Sequence, residues 1–143
     1  MQTDMMVRLL LSVIFGGAIG YVRELKRKAA GLRTHMLVCL GSAIFTLISI
    51  YMAEGSASAD PTRITSSIVT GIGFLGAGAI FQTGGSVRGL TTAASIWVCA
   101  AIGIAVGAGY YDIATFSTIL ALIVIQLLQT VEQKFVRPSE REG

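Results

Sequence analysis

The amino-acid sequence predicts an all-α membrane protein of five transmembrane helices, with the N-terminus outside and the C-terminus cytoplasmic. Three observations carry that reading. Five apolar stretches, 5–22, 36–52, 64–81, 90–108 and 113–131, are each 17–19 residues long, close to the ~20 that cross a ~30 Å hydrocarbon core. The last four contain no Asp, Glu, Lys, Arg or His, and a charge at mid-bilayer costs about 2.5–3.5 kcal/mol on insertion scales. Basic residues gather on one side of the stretches. Arg23, Lys26, Arg27, Lys28 and Arg33 follow the first, Arg88 the third, and Lys134, Arg137 and Arg141 the fifth, while Arg8 and Arg63 lie opposite. The richer side is cytoplasmic by the positive-inside rule.

With 143 residues, 53% apolar and 13% charged, five spans leave no room for a soluble domain. Residues 1–143 are expected to form a single transmembrane domain with a short cytoplasmic tail over 132–143. The net charge of +3 sits where anionic lipid head groups lie, so nucleic acid is not an expected partner and the bilayer is. The first stretch resembles a secretion signal but runs into Tyr21-Val22-Arg23-Glu24 with no small-residue cleavage site, so it is expected to be retained. Cys39 and Cys99 fall inside the second and fourth stretches, where a free thiol behaves as a small hydrophobe.

The connections are short. Residues 54–59 form a flexible outer loop, after which Asp60 can cap the third helix with Pro61 in its first turn. Residues 109–112, Gly-Tyr-Tyr-Asp, make an outer turn. Its tyrosines, with Tyr51 on that side and Tyr21 on the other, suit the aromatic belt of a membrane interface. Stretches one–two and three–four also look like copies. Gly31-Leu32-Arg33-Thr34 opens one unit's second helix and Gly89-Leu90-Thr91-Thr92 the other's, from residue 31 to residue 89, an offset of 58. Gly20 then falls on Gly78, which would make a parallel two-helix repeat.

Glycine dominates the third stretch: Gly71, Gly73, Gly76 and Gly78 spell a literal G-x-G-x-x-G. A dinucleotide site needs a preceding strand and a soluble βαβ unit, and neither fits here. Two readings stay open. One is close helix packing on two faces, which makes the third helix the central one and Gly73 and Gly76 intolerant of leucine. The other is a broken helix whose exposed backbone lines a site. Gly16/Gly20 and Gly103/Gly107 add GxxxG pairs in the first and fourth helices.

The two Gly-Leu-x-Thr turns place Thr34 and Thr92 as helix caps, with Thr91 beside them, and free N–H groups there favour anions. Arg33 and His35 stand at the first of these turns, so a phosphate or head-group site is the functional reading beside simple capping. Arg23-Glu24 is either a local ion pair or a contact to the loop near Arg88. Asp4, Glu54, Asp60 and Asp112 are the outer acids, and Mg²⁺ needs only one or two carboxylates, but solvated surface acids are the commoner case. The residues expected to matter are Arg23, Glu24, Arg33, Thr34, His35, Asp60, Arg63, Thr91 and Thr92. No catalytic residue, resident metal or cofactor is expected, since no Ser/His/Asp arrangement, Cys/His cluster or intramembrane carboxylate pair is present.

Taken together, Gly20–Leu25, Ala30–Val38, Asp60–Arg63, Gly71–Gly78 and Gly89–Ala94 with Trp97 resemble the membrane domain of the MgtC/SapB family. The resemblance implies a bacterial inner-membrane protein tied to growth in low magnesium. It also implies, in some members, modulation of other membrane proteins such as ion pumps, ATP synthase and regulatory kinases. Some relatives carry a soluble domain after the fifth span, which is not expected in the present chain. Modulation of partner membrane proteins is therefore the preferred function, a homo-oligomer is a further candidate association, and a small transporter for Mg²⁺ or another solute is the alternative. Cysteines introduced at Ser58 and Ser139 should react with impermeant reagents from opposite sides of the membrane; reaction from one side would sink the five-span topology.

Overall fold

A computed structural model describes residues 2–54, 60 and 62–128 of the chain. Five α-helices account for most of it: α1 Gln2–Leu25, α2 Leu32–Ala53, α3 Thr62–Gly78, α4 Leu90–Ala108 and α5 Tyr111–Ile123. A two-stranded hairpin, β1 Phe81–Thr83 and β2 Ser86–Arg88, separates α3 from α4, and a π-helical turn, Val124–Leu128, extends α5. Three of the helices, over residues 3–25, 32–53 and 90–108, are long and apolar enough to cross a membrane. At 1.5 Å per residue, the 17 residues of α3 reach only ~25 Å.

The hairpin corrects the expected third span, which was to run through Phe81. The helix stops at Gly78 because the next residues pair instead, Phe81 with Arg88 and Thr83 with Ser86, in antiparallel register. Gly84 and Gly85 close the turn at φ 57° and 82°, the left-handed pair that a two-residue hairpin loop requires. The fifth helix starts at Tyr111, two residues earlier than expected; residues 129–131 and the tail 132–143 lie outside the described residues. Asp60 does cap α3, its Oδ1 accepting from the Thr62 N–H at 2.8 Å and the Thr62 hydroxyl at 2.7 Å. Those two donors hold the Asp60 carboxyl below its ordinary range, the side-chain bond contributing most.

The packing centre is not α3 but α4, which lies against each of the other four helices. With α1 it encloses α2, and glycine makes this approach possible. A Cβ at Gly16 would stand 2.6 Å from the His35 carbonyl oxygen and 2.8 Å from Cys39 Cβ. One at Gly20 would meet Leu32 Cα at 2.7 Å, one at Gly103 would run into the Cys39 carbonyl, and one at Gly107 would stand 2.7 Å from the Ala43 carbonyl oxygen. The surface of α2 that receives them is small in turn, since Cys39, Ser42, Ala43, Thr46 and Ser49 are all buried on one face. Two GxxxG pairs on two helices thus close on the same third helix.

Among the described residues α3 packs mainly against α4 and α2. Ile68, Ile72 and Gly76 face inward, while Gly71, Gly73 and Gly78 have no atom within 4 Å of an added Cβ. The expectation of a centrally packed third helix therefore fails at those three glycines and survives at Gly76, where the nearest atom is Ala93 Cβ at 3.7 Å. Nor is the helix broken, for Thr62–Gly78 is one continuous α-helix. Equivalent positions of the supposed repeat also differ: Gly20 is tightly packed and Gly78 is open, and Gly31 has φ −113° against 91° at Gly89.

The other end of the bundle is closed by a Schellman-type turn. Gly109 at φ 85° ends α4, with Tyr110 N–H donating to Ala105 O at 2.8 Å and Gly109 N–H to Val106 O at 3.0 Å. Arg8 crosses from α1 to this carboxyl end, donating to Gly107 O at 2.8 Å and pairing with Asp4 at 2.6 Å. A cation there complements the helix dipole. Tyr111 donates to the other Asp4 oxygen at 3.2 Å.

These contacts give a two-sided expectation. Gly103→Ala and Gly107→Ala should each destabilise the detergent-solubilised protein by about 1–3 kcal/mol through overpacking. Gly73→Ala and Gly78→Ala should leave stability unchanged or raise it by up to ~1 kcal/mol, because alanine favours the helix. Equal thermal shifts for the two pairs would contradict the packing.

Candidate functional site: a buried polar seam at the basic end

The expected site residues at the end of α1 and the start of α2 part company in the fold. Arg23 and Glu24 do not pair with each other. Arg23 is only 2% exposed; its Nη2 donates to Thr92 Oγ1 at 2.5 Å and its Nε to the Ala30 carbonyl at 3.2 Å. Glu24 turns the other way and accepts from the Leu32 N–H at 3.0 Å. That N–H opens α2, so the carboxylate of one helix caps the next and meets the positive end of its dipole. Gly31 is required beside it, because a Cβ there would overlap the Glu24 carboxylate.

The capping roles expected of Thr34 and Thr92 are therefore corrected. The N-cap residues are Gly31 for α2 and Gly89 for α4, neither with a side-chain capping bond, and Thr34 is exposed. The anion favoured at the α2 start is already present as Glu24. Thr92 instead receives Arg23 within the core.

His35 is fully buried. Its Nδ1 lies 2.8 Å from the Gly31 carbonyl oxygen, a group that only accepts, so in the neutral ring Nδ1 carries the proton and Nε2 faces the Ser95 hydroxyl at 3.1 Å. Ser95 Oγ is also 2.8 Å from Thr92 O, and the Cys99 thiol donates to His35 O at 3.2 Å. Arg23, Thr92, Ser95, His35 and Cys99 thus form one polar seam joining α1, α2 and α4. It is built from a guanidinium, an imidazole, hydroxyls, a thiol and carbonyls, with no carboxylate touching the guanidinium through these bonds. Such a cation is stabilised only while its neutral acceptors stay in place.

The structure brings Arg23, His35 and Thr92 together and leaves Arg33, Thr34, Arg63 and Thr91 exposed outside the seam. Asp60 and Arg63 begin α3 away from it. Ser95 was not expected as a site residue. Its signal was available in the spacing, since residues 92, 95 and 99 share one helical face. Among the described residues no three His, Cys, Asp or Glu side chains come together.

The seam predicts a coupling. Arg23→Met should cost about 1–3 kcal/mol by leaving Thr92 and Ala30 acceptors buried without a donor. Combined with Thr92→Val, its effect should depart from additivity by at least ~0.5 kcal/mol in thermal or denaturant unfolding. Additive costs would show that the two side chains do not meet.

Comparison with known proteins places this architecture. The chain is 42% identical over 132 residues to "Putative magnesium transporter YhiD" of Escherichia coli strain K12, an alignment covering 89% of this chain and 61% of that protein. It is 42% identical over 130 residues to protein MgtC of Brucella abortus strain 2308, covering 91% and 53%. Against protein MgtC of Salmonella typhimurium strain 14028s it is 41% identical over 138 residues, covering 96% and 58%. The chain thus spans little more than half the length of these relatives. No solved structure matches it. Residues 9–134 match the model of the MgtC family, and the chain belongs to that family.

Proposed function

We propose that the chain is a non-enzymatic protein of a bacterial inner membrane that serves magnesium homeostasis by contacting other membrane proteins, with its basic end cytoplasmic. The names of its relatives support the link to magnesium. The observation that carries the contact reading is the outward face of α3. Ser66, Thr70, Gly73 and Ala77, at helical spacings of four, three and four, are all exposed there, whereas Ile68 and Ile72 point inward. Exposed Val69 and Phe74 flank this stripe, with Leu75 exposed beyond, so the outward side of α3 offers a small-residue track between larger apolar side chains, a surface on which a neighbouring helix can seat closely. The hydroxyls are satisfied within α3, Ser66 and Ser67 donating to Arg63 O at 2.8 and 3.1 Å, so a neighbouring helix need not supply their acceptors.

The alternative is transport, and the name of the Escherichia coli relative favours it. Against it stands the chemistry of the ion. Mg²⁺ gives up water reluctantly, and residues 64–108 contain no Asp or Glu, as do 36–52 and 113–131. Three of the carboxylates at the helix ends have other work, Asp4 pairing with Arg8, Glu24 capping α2 and Asp60 capping α3, and Asp112 stands in the first turn of α5, at the end of the helix.

Sealed liposomes containing only the purified protein should therefore show negligible Mg²⁺ flux. In cells, Gly73→Leu should abolish support of growth in low magnesium while the purified variant stays as monodisperse and thermally stable as the parent. Saturable, Mg²⁺-selective uptake lost on Asp60→Ala would overturn the proposal in favour of the transporter.

A further inference from the structure

Among the described residues, two apolar clefts between the helices differ in what stands at their mouths. One, of about 480 Å³, lies between α2 and α3 over Gly41 and Gly71; no charged residue lines it. The other, of about 320 Å³, lies between α1, α4 and α5. Along α4 it runs from Thr91 to Val98 and along α5 from Ile125 back to Ser117, with Ile19 of α1 at its side. The seven and eight residue-to-residue rises along these two walls make it ~10–12 Å deep, a large part of one leaflet's ~15 Å. Its walls are aliphatic, and its hydroxyls are those of Thr91, Ser95 and Ser117.

The mouth of this second cleft is basic. Lys26 Nζ donates to the carbonyl of Ile125, a wall residue, at 3.4 Å. Ile125 belongs to the π-helical turn; such turns distort the regular i→i−4 ladder and are frequent at functional sites. Arg27 and Lys28 follow Lys26 in the chain and are exposed, Arg88 is exposed three residues before Thr91, and Arg23 reaches Thr92 beside it. Glu24, a described acid at this end of α1, is held at the start of α2. A cationic rim over an aliphatic cleft about as deep as the upper part of one leaflet matches a ligand with an anionic head and a hydrocarbon tail.

We propose that the α1–α4–α5 cleft is a specific site for one anionic phospholipid, its phosphate at Lys26 and Thr91 and an acyl chain between α4 and α5. The charge at the rim selects the head group, and the cleft separates this lipid from those that merely surround the protein. Filling the cleft would also brace α5, whose main helix partners among the described residues are α1 and α4. The site is independent of the α3 face and of any role in magnesium homeostasis.

The test is lipid retention. The full chain is reconstituted in phosphatidylcholine vesicles containing phosphatidylglycerol as a minor component, re-extracted in mild detergent, and its tightly held lipid identified by mass spectrometry. Phosphatidylglycerol should be enriched about five-fold over its share of the vesicles, the factor that one basic side chain near an anionic head group supplies. Lys26→Arg should keep the enrichment and Lys26→Glu should abolish it. Ala94→Phe should expel the lipid by occupying the cleft, and Ser117→Leu serves the same purpose if the first variant does not fold. Retention in proportion to the vesicle composition would overturn the proposal. So would enrichment that survives both Lys26→Glu and the filled cleft. Displacement of the bound phosphatidylglycerol by excess inorganic phosphate would also overturn it, since that would reveal an anion site with no use for the tail.

Discussion

Backbone contact between α2 and its two neighbours is the constraint on which the other features rest. Gly16 and Gly20 bring α1 against α2, and Gly103 and Gly107 bring α4 against it from another side. In a bilayer the hydrophobic effect does little to hold apolar helices together, so association depends on van der Waals contact and on hydrogen bonds between helices. Both improve as backbones approach. The small face of α2, from Cys39 to Ser49, is the complement that lets two glycine pairs seat at once.

The polar seam is a consequence of that closeness. Gly16 sits against the His35 carbonyl, the same group that accepts from Cys99, so one backbone position serves the α1 contact and the α4 bond together. Arg23 reaches Thr92 across α2's first turn because α1 and α4 both lie against it. A larger residue at Gly16 or Gly20, beside His35 and Leu32, would push α1 from α2 and strain the bonds of a buried guanidinium and imidazole, a costly change in low dielectric. Packing and polar satisfaction are therefore coupled, and the seam locks the basic end of the bundle.

Around this three-helix core, α3 and α5 are attached more lightly, and the interaction surfaces proposed above lie on them. α3 presents an open small-residue face, and α5 borders the cleft with the basic rim. A rigid core with two peripheral helices of ~25 Å or less is an arrangement in which lipid or a partner helix can meet the protein without disturbing the seam.

The amino-acid sequence by itself determined the membrane setting, the number of helices and the gathering of basic residues at one end, because apolar length and charge placement are local properties read residue by residue. It also foretold Asp60 as a cap and Cys39 and Cys99 as buried, since both follow from position alone. It left open which glycines are packed. Gly71, Gly73 and Gly78 have the same spacing logic as Gly16 and Gly20, yet they face outward, because a helix offers several faces and only its neighbours decide which one is covered. The hairpin over 81–88 was hidden by reading an apolar run as helix when a Gly-Gly pair stood ready to reverse the chain. Tertiary structure alone decided that Glu24 caps α2 from another helix, that Arg23 turns to Thr92 rather than to Glu24, and that Ser95 joins His35, for each of these bonds spans 8 to 69 residues and exists only once the glycine contacts have brought the helices together.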